Sequence, residues 1–159
     1  MPSFRAPYPR LPESTATFAA AALGSAATTT SVGTWYGELA KPAWNPPRWI
    51  FGPVWSALYI VIAIAGWRVW RHHENPGTRP ALVWFFAQLG LNALWSFLFF
   101  GLRRPDLALI EIVVLLAALV VLQVKFWRID RVAAALWMPY VAWVSFASVL
   151  NAAVWWLNR

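Results

Sequence analysis

Five apolar segments fill almost the whole chain between Ser14 and Leu157, with approximate spans 14–32, 48–70, 80–102, 105–127 and 132–157. Each is about as long as a helix must be to cross a bilayer core of ~30 Å at ~1.5 Å per residue. Backbone N–H and C=O groups in hydrocarbon have no water to bond, so such segments close their own hydrogen bonds as helices. The expectation is an all-α membrane protein built as a bundle of five transmembrane helices. The short connections leave no room for a separate soluble domain. Composition agrees: with 60% hydrophobic and 12% charged residues, the 159-residue chain is too apolar for an ordinary soluble domain.

Residues 1–13, MPSFRAPYPRLPE, carry four prolines and no apolar period, and read as a flexible or extended tail ahead of one domain over 14–159. The first span is built from small residues, TATFAAAALGSAATTTSV, and admits two readings. Arg5 and Arg10 ahead of it fit a cleavable signal peptide, whereas Ala, Gly, Ser and Thr suit a helix packed closely on its neighbours. The packed helix is preferred. Most prolines fall in the tail, the connections or first helical turns; Pro53 and Pro139 instead lie inside spans, where each would free a carbonyl, of Trp49 and Ala135, and bend the helix. Lys and Arg on the side of the tail are Arg5, Arg10, Arg68, Arg71, Arg79, Lys125, Arg128 and Arg131. Lys41, Arg48, Arg103, Arg104 and Arg159 lie on the other side, a small bias toward a cytoplasmic N-terminus.

The net charge of +7 is scattered in ones and twos between apolar runs, which fits bilayer flanks and not a nucleic-acid stripe. With no cysteine there is no disulfide, thiolate haem ligand or cysteine zinc site. No Ser/His/Asp arrangement, metal-ligand cluster or Gly-rich phosphate loop is present, so a conventional hydrolase or nucleotide enzyme is not expected and no metal or required cofactor is assigned. His72 and His73, beside Arg71 and Glu74, read as solvated.

Function is most legible around the second span, in WYGELAKPAWNPPRWIFGPVWSALY over 35–59. Tryptophan offers a flat π face and one N–H, so such a cluster is either interfacial anchoring or a surface for a flat ligand. Trp35, Trp44, Trp49, Trp70, Trp127, Trp155 and Trp156 lie near span ends, where anchoring explains them. Trp55, Trp95 and Trp143 lie deeper, with core packing as the competing explanation. Helical spacing puts Trp55, Tyr59, Ile62 and Gly66 on one face, Gln88, Asn92, Trp95 and Phe99 on another, and Tyr140, Trp143, Ala147 and Asn151 on a third. Counting ~1.5 Å per residue from the face that carries the 35–47 connection puts Trp55 and Trp95 about 10 Å deep, Asn92 and Ala147 about 15 Å and Trp143 about 21 Å. Glu111 and Asn151 come out at about 9 Å on the same count. Converging faces would line one apolar pocket with a few polar points, closed by the connection as a lid. Asn92 and Asn151 also suit plain interhelical bonding, whereas an intramembrane acid such as Glu111 is costly and points to function.

Three separated motifs, the 35–59 stretch, LNALWS in the third span and PYVAWVSFASVLNAAVWWLN in the fifth, occur in order over about residues 14–158. Together they resemble the TspO/MBR family of bacterial tryptophan-rich sensory proteins and the mitochondrial translocator protein, or peripheral benzodiazepine receptor. The resemblance implies a five-helix bundle, a homodimer in bacteria, that binds porphyrins and other hydrophobic ligands in a pocket closed by the first loop. It assigns Trp55 and Trp143 to porphyrin binding and breakdown, Tyr36, Asn92 and Ala147 to the pocket, and Trp35 and Trp44 to the lid. Glu111 resembles an acidic position of the family's fourth span. A tyrosine near the C-terminus is missing, which argues against strong sterol binding, and the proline-rich tail is longer than the family leads one to expect.

The expected function is therefore an integral membrane binder of tetrapyrroles such as protoporphyrin IX, for sensing, scavenging or transport. Trp55, Trp95 and Trp143 would meet the π face, with Asn151 nearby, and Lys41, Arg48 or the lid indoles would meet the propionates. The alternatives are a light- and oxygen-dependent porphyrin-degrading enzyme, with Trp55 and Trp143 as its reacting residues, a lipid or sterol carrier, and a purely structural membrane protein.

Overall fold

The computed structural model describes residues 35–159. The expected tail over 1–13 and first span over 14–32 lie outside the described residues. A short helix, α1 (Trp35–Glu38), precedes four long ones: α2 (Arg48–Trp70), α3 (Thr78–Ser96), α4 (Pro105–Ile129) and α5 (Arg131–Leu157). The last turn of α3 widens into a π-helix, Phe97–Gly101. There is no strand among the described residues. The four long helices, α3 taken with its π turn, are each long and apolar enough to cross a membrane.

Local chemistry sets the helix ends. Pro47 precedes α2, and Pro105 opens α4, where its missing N–H costs nothing. Between α3 and α4, Arg103 takes a left-handed conformation at φ 55°, which reverses the chain directly after the π turn. Pro53 and Pro139 lie inside α2 and α5, and both helices continue across them.

The four helices close on a core centred on Trp137 of α5, which is fully buried. Its ring meets Phe126 at 5.0 Å, Tyr140 at 5.2 Å and Phe85 at 5.9 Å, and its N–H donates to the Leu119 carbonyl at 3.2 Å. Phe85 in turn lies on Gly66: a methyl there would sit 2.7 Å from Phe85 Cζ, so α2 and α3 approach this closely only because residue 66 has no side chain. A second cluster toward the other end joins Tyr36 of α1 to Phe99, Phe100, Ala108, Leu150 and Val154.

At the turn into α5, Asp130 does two jobs. Its carboxylate caps the helix, accepting from the N–H groups of Val132 at 2.8 Å and Ala133 at 3.1 Å. It also pairs with Arg68 of α2 at 2.9 Å and faces His72 Nε2 at 3.4 Å. Burial opposes the charged form, but the capping N–H groups and Arg68 outweigh it, leaving Asp130 below the ordinary aspartate value. Its stabilisation is thus complete above the unfolded pKa and disappears as pH falls through the lower folded one. Asp130→Ala should cost about 1–2 kcal/mol at neutral pH. Thermal unfolding in detergent, followed by circular dichroism, should show the wild-type and variant midpoints converging below pH ~4. A gap that stays constant into strong acid would refute this role.

Candidate ligand site

The connection between α1 and α2 cannot be helical through Pro42, Pro46 and Pro47, and it is held by polar pins. The Ala40 N–H donates to Asn158 Oδ1 at 2.9 Å, and Asn158 Nδ2 donates back to the Ala40 carbonyl at 2.8 Å. The Tyr36 hydroxyl donates to Asn45 Oδ1 at 3.0 Å. From its pin on the end of α5 the connection reaches Trp44, whose ring meets Phe146 of α5 edge-on at 5.9 Å.

That contact begins a continuous aromatic wall. Phe146 meets Trp143 at 5.6 Å, and Trp143 meets Phe51 of α2 at 5.8 Å. One turn along α2, Trp55 lies 5.5 Å from Tyr59 and 6.4 Å from Tyr140. Trp55, Trp143 and Ala147 are half-buried, unlike the sealed Trp137. Ala147, one turn beyond Trp143, keeps that face of α5 shallow.

The depth count needs correcting. It assumed that α2 and α5 meet the membrane face at one level, which sets Trp143 about 10 Å below Trp55. Instead Trp143 touches Phe51, a turn nearer the start of α2 than Trp55, and at the other end Arg68 pairs with Asp130 just before α5 begins. The start of α2 therefore lies below the C-terminal turn of α5, and Trp55 and Trp143 face the same region.

Below the wall a chain of hydrogen bonds ties three helices together. Tyr59 donates to Asn92 Oδ1 at 3.3 Å, Asn92 Nδ2 donates to the Tyr140 hydroxyl at 2.9 Å, and that hydroxyl donates to Gln88 Oε1 at 2.9 Å. Both ends of the buried Asn92 amide are engaged, so it forms the polar floor of the region. Trp95 lies beside this floor, toward the π turn. It stacks on Phe99 at 5.1 Å and donates to Asn151 Oδ1 at 3.0 Å, while Asn151 Nδ2 donates to the Pro105 carbonyl at 2.8 Å. Trp35 and Tyr36 pack on the same Phe99, at 5.8 and 6.1 Å. Trp95, Asn151, Trp35 and Tyr36 thus form a cluster around the π turn that adjoins the wall, because Phe51 and Phe146 pack against it.

The three polar candidates separate as well. Lys41 folds back onto α1, donating to the carbonyls of Tyr36 at 2.7 Å, Leu39 at 2.8 Å and Gly37 at 3.3 Å. Burial and then the Arg48 charge push its ammonium below the ordinary lysine value. Arg48 has no hydrogen-bond or ion-pair partner among the described residues. Glu111 is buried on α4 with neither carboxyl oxygen bonded to any described group. No cluster of metal-binding side chains occurs among the described residues.

Phe51 and Phe146 have no expected role, whereas Tyr140 is expected on the pocket-facing stripe without a role for its hydroxyl. Phe51 lies four residues before Trp55, and Phe146 three after Trp143, so helical spacing carried the signal.

The sequence pattern of the TspO/MBR family matches residues 14–157. The chain belongs to the TspO/MBR family. Among its relatives, the tryptophan-rich protein TspO of Archaeoglobus fulgidus is 42% identical over 135 residues, covering 85% of this chain and 87% of that protein. The tryptophan-rich sensory protein of Cereibacter sphaeroides is 37% identical over 134 residues, covering 82% and 83%. The translocator protein of Homo sapiens is 38% identical over 125 residues, covering 76% and 73%. Family membership and the four apolar helices make this an integral, multi-pass membrane protein.

Proposed function

We propose that this protein binds tetrapyrroles of the protoporphyrin class, and other flat hydrophobic ligands, against the wall formed by Trp44, Phe146, Trp143, Phe51 and Trp55, for sensing, scavenging or transport. In this reading the chain forms a five-helix bundle, as a homodimer, with segment 14–32 as the first helix and the connection carrying Trp44 as the lid. The observation that carries it is the run of ring contacts from Trp44 through Trp143 to Phe51, which brings lid, α5 and α2 together on one aromatic surface. A macrocycle offers a broad π face, and each well-placed aromatic pair adds about 0.5–1.5 kcal/mol beyond burial. The two half-buried indoles together therefore account for roughly 1–3 kcal/mol of affinity.

Titrating protoporphyrin IX into the detergent-solubilised protein should quench tryptophan fluorescence saturably. A Trp55→Ala, Trp143→Ala double variant, which removes both ring faces, should need about 5- to 140-fold more ligand, since ~1.4 kcal/mol is a factor of ten. Equal saturation in both proteins would sink the assignment.

A second reading, light- and oxygen-dependent porphyrin degradation, draws on the Tyr59 ring beside Trp55. Dioxygen is then the oxidant of the excited macrocycle, and Trp55 with Tyr59 beside it can lend an electron to the oxidised ring and take it back, so that no net electron is drawn from the protein. Illuminating the same aerobic samples should then generate a new absorbing product in the wild type only; no product under light and oxygen removes this reading.

A further inference from the structure

At the end of the bundle opposite the aromatic wall, the last turns of α4 carry a groove that the ligand reading leaves unused. Gln123, Val124, Trp127 and Arg128 line it, and its volume is about 200 Å³. One wall is polar. Gln123 Nε2 donates to the Ala134 carbonyl of α5 at 3.0 Å, which fixes the side chain, while Oε1 is shielded from solvent and bonded to no described group. A shielded carbonyl oxygen without a donor is costly, so an outside partner would relieve it.

The charge around the groove is one-sided. Lys125, Arg128 and Arg131 follow one another at steps of three, and none has a hydrogen-bond or ion-pair partner among the described residues. The acid nearest in sequence, Asp130, is already engaged by Arg68, His72 and the capping N–H groups of Val132 and Ala133. Arg128 in the last turn of α4 suits the helix dipole, but the dipole explains neither the exposed indole nor the unpaired amide beside it. Trp127 is 52% exposed, as an indole is where a helix leaves the hydrocarbon. Deeper along the same face, Val113, Ala117, Val120 and Val124 are exposed at i, i+4, i+7 and i+11. An apolar track thus runs from the groove toward the bilayer centre.

We propose that this groove holds an anionic phospholipid with hydroxyls on its headgroup, of the phosphatidylglycerol class. Arg128 takes the phosphodiester with its planar fork, and Lys125 and Arg131 add attraction. The Gln123 carbonyl oxygen accepts from a headgroup hydroxyl, Trp127 covers the glycerol, and one acyl chain lies along the valine track. Phosphatidylcholine offers the same phosphate but has neither net charge nor a donor for Gln123. The site is separate from the tetrapyrrole surface and does not depend on it.

The test titrates the full chain in non-ionic detergent with dioctanoyl phosphatidylglycerol or dioctanoyl phosphatidylcholine, counting bound lipid by native mass spectrometry. The wild type should hold phosphatidylglycerol about fivefold more tightly. Arg128→Gln should bring it down to the level of phosphatidylcholine; Arg128 is exposed, and circular dichroism should show the variant as helical as the wild type. Trp127→Ala should weaken both lipids by the same factor. Arg79 is a second exposed cation at the same end, where a methyl on Gly77 would lie 3.8 Å from Ile129 of α4, and Arg79→Gln should leave the preference intact. Equal binding of the two lipids, or a preference that survives Arg128→Gln, overturns the proposal. An equal loss from Arg79→Gln does so too, because it would mean diffuse attraction to a basic face without a site. Displacement of the lipid by inorganic phosphate, beyond that caused by chloride at equal ionic strength, would assign the groove to a free anion and likewise overturn it.

Discussion

Replacing Trp137 by alanine is expected to lower the stability of the folded bundle by about 3 kcal/mol, the largest effect of any single substitution considered for this protein. The ring is fully enclosed by α3, α4 and α5, against Phe85, Phe126 and Tyr140, and its N–H occupies the Leu119 carbonyl. In a bilayer the usual reasoning about burial changes. Lipid tails are as apolar as the core, so the cost comes from lost packing and from the empty volume left behind, with little contribution from water. Thermal unfolding in detergent, read by circular dichroism, should drop clearly for Trp137→Ala and less for Trp137→Phe, which refills much of the space. An unchanged midpoint in the alanine variant would mean that the bundle collapses around the hole, and that the centre of the fold lies elsewhere.

The second large effect is expected from adding a single carbon. Gly66→Ala places a methyl 2.7, 3.0 and 3.2 Å from three ring atoms of Phe85, and that ring has little room to retreat because Phe86 and Trp137 flank it. Overpacking of this kind costs about 1–3 kcal/mol, through displaced side chains or a wider α2–α3 crossing. The origin of the cost can be isolated. Phe85→Leu removes the atoms that clash, so the Gly66→Ala, Phe85→Leu double variant should be less destabilised than the sum of its single changes. Simple additivity would show that Gly66 matters for some reason other than the approach of Phe85.

These two substitutions also mark what a sequence can reveal about a chain like this. The long helices were legible because bilayer thickness fixes their length and proline punctuates their ends. The expected span 48–70 coincides with α2, while α3 and α5 begin two and one residues before their expected starts and α4 continues two residues beyond its expected end. Gly66 and Phe85 lie on separate helices, and nothing local to either says that they meet. The face carrying Trp55, Tyr59, Ile62 and Gly66 was read from spacing, yet its two halves do different things: Ile62 and Gly66 are sealed in the core, and Trp55 and Tyr59 border the aromatic wall.

The candidate site was legible in its aromatic part and less so in its polar part. Periodicity identifies which indoles share a helix face, but the partner of an amide or an ammonium depends on how far one helix slides along the next. That slide placed Trp143 level with Phe51, and a count from one common membrane face has no access to it. Lys41 illustrates the same difficulty in the connection between α1 and α2. As a lone cation beside prolines it reads as a ligand donor, and only the return of the chain onto α1 reveals that its own backbone claims it.

The pairing of Ala40 with Asn158 joins the first connection to the last turn of α5, 118 residues away in sequence. Arg159, the next residue, stacks on Trp156 at 3.1 Å from the ring centroid. Anything attached after Arg159 for purification or imaging would therefore sit beside that pairing. Titrations of the proposed ligand on such fusions are best compared with those on protein whose tag has been removed.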